Sequence, residues 1–152
     1  MKAKEYMLQA RNAKRAIDRK LDAIQTYADM ATHITSSIEM CKVAGKEMVM
    51  EKVTNSKIIQ DKMADAVASI VDAQDELKVL IDEYIEIVND ITITIEKLTS
   101  AHYKILFDYY INDKDFVDIA ADEMKSYSAV TTQHSRALAE LQKVLNGDND
   151  DC

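Results

Sequence analysis

YKILFDYYINDKDFVDIAADEMKSYSAVTTQHSRALAELQKVL, residues 103–145, decides the fold. Three short helical patterns follow one another here, separated by two polar turns. Tyr103, Leu106, Phe107 and Tyr110 share one side of the first pattern, which ends in Asn112-Asp113-Lys114-Asp115. Asp115 is placed to cap a second helix carrying Phe116, Ile119 and Ala120 on its apolar side, because a short side-chain oxygen satisfies the unpaired amides of a first turn. Lys125-Ser126 makes the next turn. Ser126 caps a third helix, with Val130, Ala137, Leu138, Leu141 and Leu145 facing inward. Tyr127, Ser128, Thr131, Thr132 and Ser135 face outward near its start. Two short helices across a tight turn, the second polar at its start, make the pattern of a helix-turn-helix, whose second helix enters the major groove of DNA by that end.

Upstream, the chain is long, regular and amphipathic. From Lys2 to about Ile34 the apolar positions Tyr6, Ala10, Ala13, Ile17, Leu21, Ile24, Ala28, Ala31 and Ile34 recur in steps of three and four. That is one narrow stripe on a helix of roughly 50 Å. From about Thr54 to Leu98 the stripe returns through Ile59, Met63, Ala66, Ile70, Ala73, Leu77, Leu80, Tyr84, Ile87, Ile91, Ile95 and Leu98. The ITITI run at 91–95 is β-prone in isolation, but its neighbours keep the helical period, so it reads as helix. Residues 35 to about 53 break the pattern with two serines, a glycine and three methionines from Met40 to Met50, and read as a loop. The expected fold is therefore all-α: a long antiparallel helical hairpin of coiled-coil type over 1–99, a helix-turn-helix unit over 100–145, and a disordered acidic tail over 146–152. A two-helix hairpin buries little. Self-association into a homo-oligomer is expected, with Ile17, Leu21, Ile24, Ile70, Leu77, Tyr84 and Ile91 as its seam.

Composition agrees. The 152 residues include no Pro and two Gly, too few for the corners of a strand-rich fold. Cys41 and Cys152 fit no metal or redox spacing, which suits a reducing cytoplasm. No apolar run is long enough for a membrane span, and the start of the chain has no signal-peptide core. The formal charge is -8, yet residues 1–20 hold seven bases against two acids. In a hairpin those bases lie beside Asp82, Glu83, Glu86, Asp90 and Glu96 and are neutralised there; a DNA-facing patch is the other use for them. His33, His102 and His134 are scattered, and the packing or capping roles suit the last two. No metal site, phosphate loop or cofactor motif is present, so no catalytic residue, metal or cofactor is expected. The neighbouring acids Asp82-Glu83 and Asp122-Glu123 diverge on their helices and read as solvated faces.

The segment F-x-x-I-A from Phe116, with S-x-x-x-V from Ser126 and H-S-R-A-L from His134, resembles region 4 of bacterial sigma factors without a gap. Over nearly its full length the chain is similar to small phage and prophage proteins with that module at the C-terminus, through A-K-E-Y-x-x-Q-A at Ala3–Ala10 and I-T-S-S at Ile34–Ser37. The resemblance implies a DNA-binding transcription regulator in the host bacterial cytoplasm. Its base-reading residues would be Tyr127, Ser128, Thr131 and Thr132, and its phosphate contacts Lys125, Arg136 and Lys114. Arg136 has a second reading, as a local partner of acids on the preceding helix. Three positions depart from the family pattern: Met124 replaces the turn glycine, and Glu123 and Gln133 replace apolar residues. Residues 101–145 hold seven acids against five bases, a poor balance for duplex DNA. The alternative is a protein-interaction factor that binds RNA polymerase or another regulatory protein.

Overall fold

The computed structural model describes the backbone of residues 1–43 and 49–147 and the side chains of 1–33 and 57–147. Among the described residues the chain is all-α. Helix α1 spans Ala3–Val43, α2 Val49–Ile95, α3 Ser100–Leu106, α4 Phe116–Glu123 and α5 Tyr127–Leu145; a π-helical turn, Phe107–Ile111, follows α3 directly. One expectation is corrected: α1 continues nine residues past Ile34, and α2 already begins at Val49. The apolar stripe thus stops before the helix does, since helix needs only local hydrogen bonds and no Pro interrupts them in 35–43 or 49–53. The methionine side chains at 40–50 and the disorder expected beyond Gly147 lie outside the described residues.

Two compact units divide the chain. The first joins Met1–Arg15 to Asp82–Cys152, and the second is Ala16–Ile81. In the second unit Lys20 pairs with Glu76 across α1 and α2, Ala73 is buried, and Ile17, Ile24, Ile70 and Leu77 are half-buried. Leu21 is exposed.

The first unit has the larger core, formed by Ala3, Met7 and Ala10 of α1, Ile91 and Ile95 of α2, and buried residues from every later helix. Its core crosses the 99/100 boundary expected from sequence, because the start of α1 packs with the C-terminal helices. ITITI is helical because only Ile91 and Ile95, one turn apart, reach the core, whereas Ile93 stays in solvent. The Thr94 hydroxyl returns to the Asp90 carbonyl at 2.9 Å. Tyr6 Oη donates to Asp90 Oδ2 at 2.6 Å and lies 2.9 Å from Thr94 Oγ1. Burial, together with the Asp90 hydrogen bond, pushes the Tyr6 hydroxyl up to about 12. The neutralisation expected at this end takes another form. Among the described residues, none of Asp82, Glu83, Glu86, Asp90 and Glu96 forms an ion pair with the bases of 1–20. Arg11 instead reaches Asp113 beyond the π turn at 2.9 Å, with its guanidinium 4.7 Å from the centre of the Tyr109 ring.

Candidate nucleic-acid interface

Local rules build residues 112–132. The π turn closes with the Asn112 amide on the Phe107 carbonyl at 3.0 Å. Its extra residue rotates the chain so that the sequence neighbours Tyr110 and Ile111 are both buried, which a regular helix does not favour. Asp115 then caps α4, accepting from the Asp118 amide at 2.8 Å. Helix α4 ends in a Schellman pattern: the Lys125 amide bonds the Ala120 carbonyl at 2.9 Å and the Met124 amide bonds the Ala121 carbonyl at 3.4 Å. Met124 occupies the left-handed position of that pattern, with φ 52°. Ser126 caps α5, accepting from the Ala129 amide at 3.1 Å.

The two short helices are held by Ile119 and Ala120 of α4 against Val130, Ala137 and Leu141 of α5. Behind them stands an aromatic group of Tyr109, Tyr110, Phe116 and His134. Tyr109 stacks on Phe116 at 4.5 Å between ring centres, and His134 lies 5.0 Å from Phe116. His134 Nε2 and Tyr110 Oη are 3.1 Å apart. Burial, with a smaller push from the Lys4 ammonium, lowers the His134 imidazole to about 4, so it is neutral at physiological pH. Burial likewise raises Tyr110 to about 12. On the far side His102 pairs with Glu140. Burial alone would raise that carboxyl, but hydrogen bonds from His102 and Thr99 outweigh it and hold Glu140 below the usual carboxylate range.

The candidate base readers are brought together at the start of α5. Tyr127, Ser128 and Thr132 are exposed and Thr131 is half-buried. Thr131 and Thr132 both donate their hydroxyl protons to the Ser128 carbonyl, at 3.0 and 2.8 Å, which leaves their oxygens as outward acceptors. Beside them an open groove of about 600 Å³ runs past Ala101, Lys125, Ser128, Thr132 and Arg136.

The candidate phosphate contacts differ in how committed they are. Lys114 pairs with Asp122 at 2.9 Å. Lys125 lies 2.8 Å from Glu123 and donates to Gln133 at 3.1 Å. Among the described residues Arg136 has no ion pair, so its reading as a partner of acids on α4 is set aside. Glu123 corrects a second expectation: it is not on a solvated face, since its side chain is only 9% exposed. Lys104 stands 3.8 Å from one of its oxygens and Lys125 near the other. That second oxygen makes a charge contact without hydrogen-bond alignment. A buried carboxylate needs such partners, a need that a nearest-neighbour reading of Asp122-Glu123 does not expose. Glu123 and Gln133 are thus linked through Lys125, and Gln133 also donates to the Ala101 carbonyl at 3.1 Å.

No helix of the described residues is long and apolar enough to cross a membrane. Comparison with known proteins found no matching family model, curated protein or solved structure.

Proposed function

We propose that the chain is a DNA-binding transcription regulator that reads duplex DNA with the start of α5, and that two copies act together through the long helices. The observation that carries this reading is the α4–turn–α5 geometry. Two capped helices pack on each other across Met124-Lys125-Ser126, and the second presents Tyr127, Ser128 and Thr132 to solvent at its amide-rich end. That end of a helix carries partial positive charge and free N–H groups, which suits a phosphate backbone. Arg136 adds an uncommitted cation at the edge of the same groove. Within the first unit Tyr6 of α1 meets Asp90 of α2, and within the second Lys20 of α1 meets Glu76 of α2.

Gel shift on bacterial and prophage promoter fragments, at micromolar protein and in a salt series, tests the reading. Binding that weakens steeply with salt supports it. No shift at low salt sinks it.

A second reading, a protein-interaction factor for RNA polymerase or another regulator, is favoured by one specific observation. Lys104, Lys114 and Lys125 are all held by the acids Glu123 and Asp122. Pull-down from bacterial lysate separates the two: polymerase retained after nuclease treatment supports this one, and release by nuclease refutes it.

A further inference from the structure

Helix α2 carries a second apolar stripe besides the one turned toward α1. Val67, Val71, Ile81 and Ile85 are between 38% and 50% exposed. With Gln74 and Lys78 they form an unbroken series, 67-71-74-78-81-85, in alternating steps of four and three along one helix. This is a coiled-coil seam, and its order is symmetric. Two β-branched residues precede the polar pair Gln74/Lys78, and two follow it at the same distances.

We infer that this stripe pairs with the same stripe of a second copy in antiparallel two-fold fashion, centred between Gln74 and Lys78. The inference rests on the self-association in the proposed function but not on its DNA reading. A two-fold axis at position 76 sets Val71 against the partner's Ile81 and Val67 against the partner's Ile85. Gln74 then faces the partner's Lys78. Every layer therefore matches apolar with apolar and polar with polar. A parallel pairing in register sets Lys78 on the partner's Lys78 in the middle of the seam, a buried like-charge contact. An unrelated partner has no reason to mirror the series about its own midpoint; a second copy does. The interface is isologous and closes as a dimer. From Val67 to Ile85 it runs about 27 Å at the helical rise per residue.

The test uses the full chain with Cys41→Ser and Cys152→Ser. Sedimentation equilibrium gives twice the 17.2 kDa chain mass. Mild oxidation cross-links the double variant Val71→Cys/Ile81→Cys, because those positions face one another. It does not cross-link either single variant, whose copies stand about 15 Å apart along the seam. Positions 71 and 81 of one chain are equally far apart, so no internal disulfide competes. Gln74 is exposed and its replacements leave the helix intact. Gln74→Glu, facing lysine in two layers, tightens the dimer about fivefold, and Gln74→Lys weakens it by a similar factor. Cross-linking of the single Val71→Cys variant overturns the inference, as it reports a parallel pair. A monomer overturns it too, as does a dimer in which neither variant cross-links. A monomer that still shifts DNA leaves the DNA reading standing, and a correctly cross-linked dimer without DNA binding sinks only that reading.

Discussion

Met124→Gly should stabilise the protein. Met124 sits at the left-handed position that closes α4, with φ 52° and ψ 41°. An L side chain there costs roughly 1–2 kcal/mol through the clash of Cβ with its own backbone. Glycine removes that cost but returns about 0.5–1 kcal/mol through its greater freedom in the unfolded chain. The Met124 side chain is 96% exposed, so no burial is lost. The net gain is about 0.5–1 kcal/mol, which for a chain of this size raises Tm by about 1–4 °C. Six of the seven tyrosines lie in the unit that contains Met124, so thermal melting followed by near-ultraviolet tyrosine dichroism reports that unit. Two controls sharpen the reading. Met124→Ala keeps Cβ and should gain nothing. Asp113→Gly acts on the other positive-φ residue, φ 58°, but aspartate tolerates this conformation and the change breaks the pair with Arg11, so it should lower Tm. A Met124→Gly protein melting below the parent, or Asp113→Gly gaining more than Met124→Gly, refutes the reasoning.

The aromatic group predicts an acid-sensitive module. His134 titrates at about 4 in the folded chain against 6.5 unfolded, so the unfolded state binds more protons between those values. Stability is fully present above about pH 6.5 and falls as pH drops toward 4, by about 1–2 kcal/mol once the partial exposure of the ring is allowed for. Urea melts of the parent and of His134→Gln across this window isolate the effect, and equal slopes for both would rule it out. Glu123→Gln frees Lys104 and Lys125, so DNA affinity at low salt should rise and the log–log salt slope should steepen by about 1; an unchanged slope counts against Lys125 as a phosphate contact. Arg11→Lys keeps the charge near Asp113 but loses the guanidinium's contact over the Tyr109 ring, and should cost about 0.5–1 kcal/mol in the same melts; parity with the parent would show that this contact contributes nothing.

The caps and the inward faces of the C-terminal helices were legible in the sequence because they follow from contacts within a few residues. Asp115 and Ser126 cap where their short side chains stand one position before an apolar repeat, and Val130, Ala137 and Leu141 recur at the helical period. What escaped depends on distant partners or on local irregularity. Ala3 and Met7 lie beside the Tyr6–Ala10–Ala13 stripe rather than on it, and are buried only because the first turn of α1 meets α5; the Ala3 amide donates to Gln142 Oε1 at 2.7 Å. The π turn inserts a residue within FDYYI, which shifts the period by a step that no regular template contains. Glu123 looks solvated beside Asp122 until the α4 closing turn folds Lys125 back over it. The apolar stripe does not mark the ends of α1 and α2, at Val43 and Val49, because apolar periodicity reports burial, not backbone conformation.

These corrections bear on the site. A DNA-binding module is expected to offer uncommitted cations, and the C-terminal unit offers Arg136 while its nearby lysines already hold acids. Phosphate binding by Lys125 is then an exchange: the Glu123 contact is given up for a phosphate contact, in a position where the carboxylate is buried and cannot be rehydrated cheaply. Most of the counterion-release gain that drives non-specific binding is thereby lost at that residue. The same exchange limits Lys114, although its pair with Asp122 is exposed and weaker. On the proposed reading, a single copy would bind duplex DNA through few net charges, and sequence recognition would rest on neutral groups, the hydroxyls of Tyr127, Ser128 and Thr132. Such a head gains useful affinity only when a second head is held nearby, so that the second contact is made at high effective concentration. Pairing through α2 and reading through α5 are thus coupled requirements in this reading: the acid–lysine pairs that weaken one head are what make the second copy necessary.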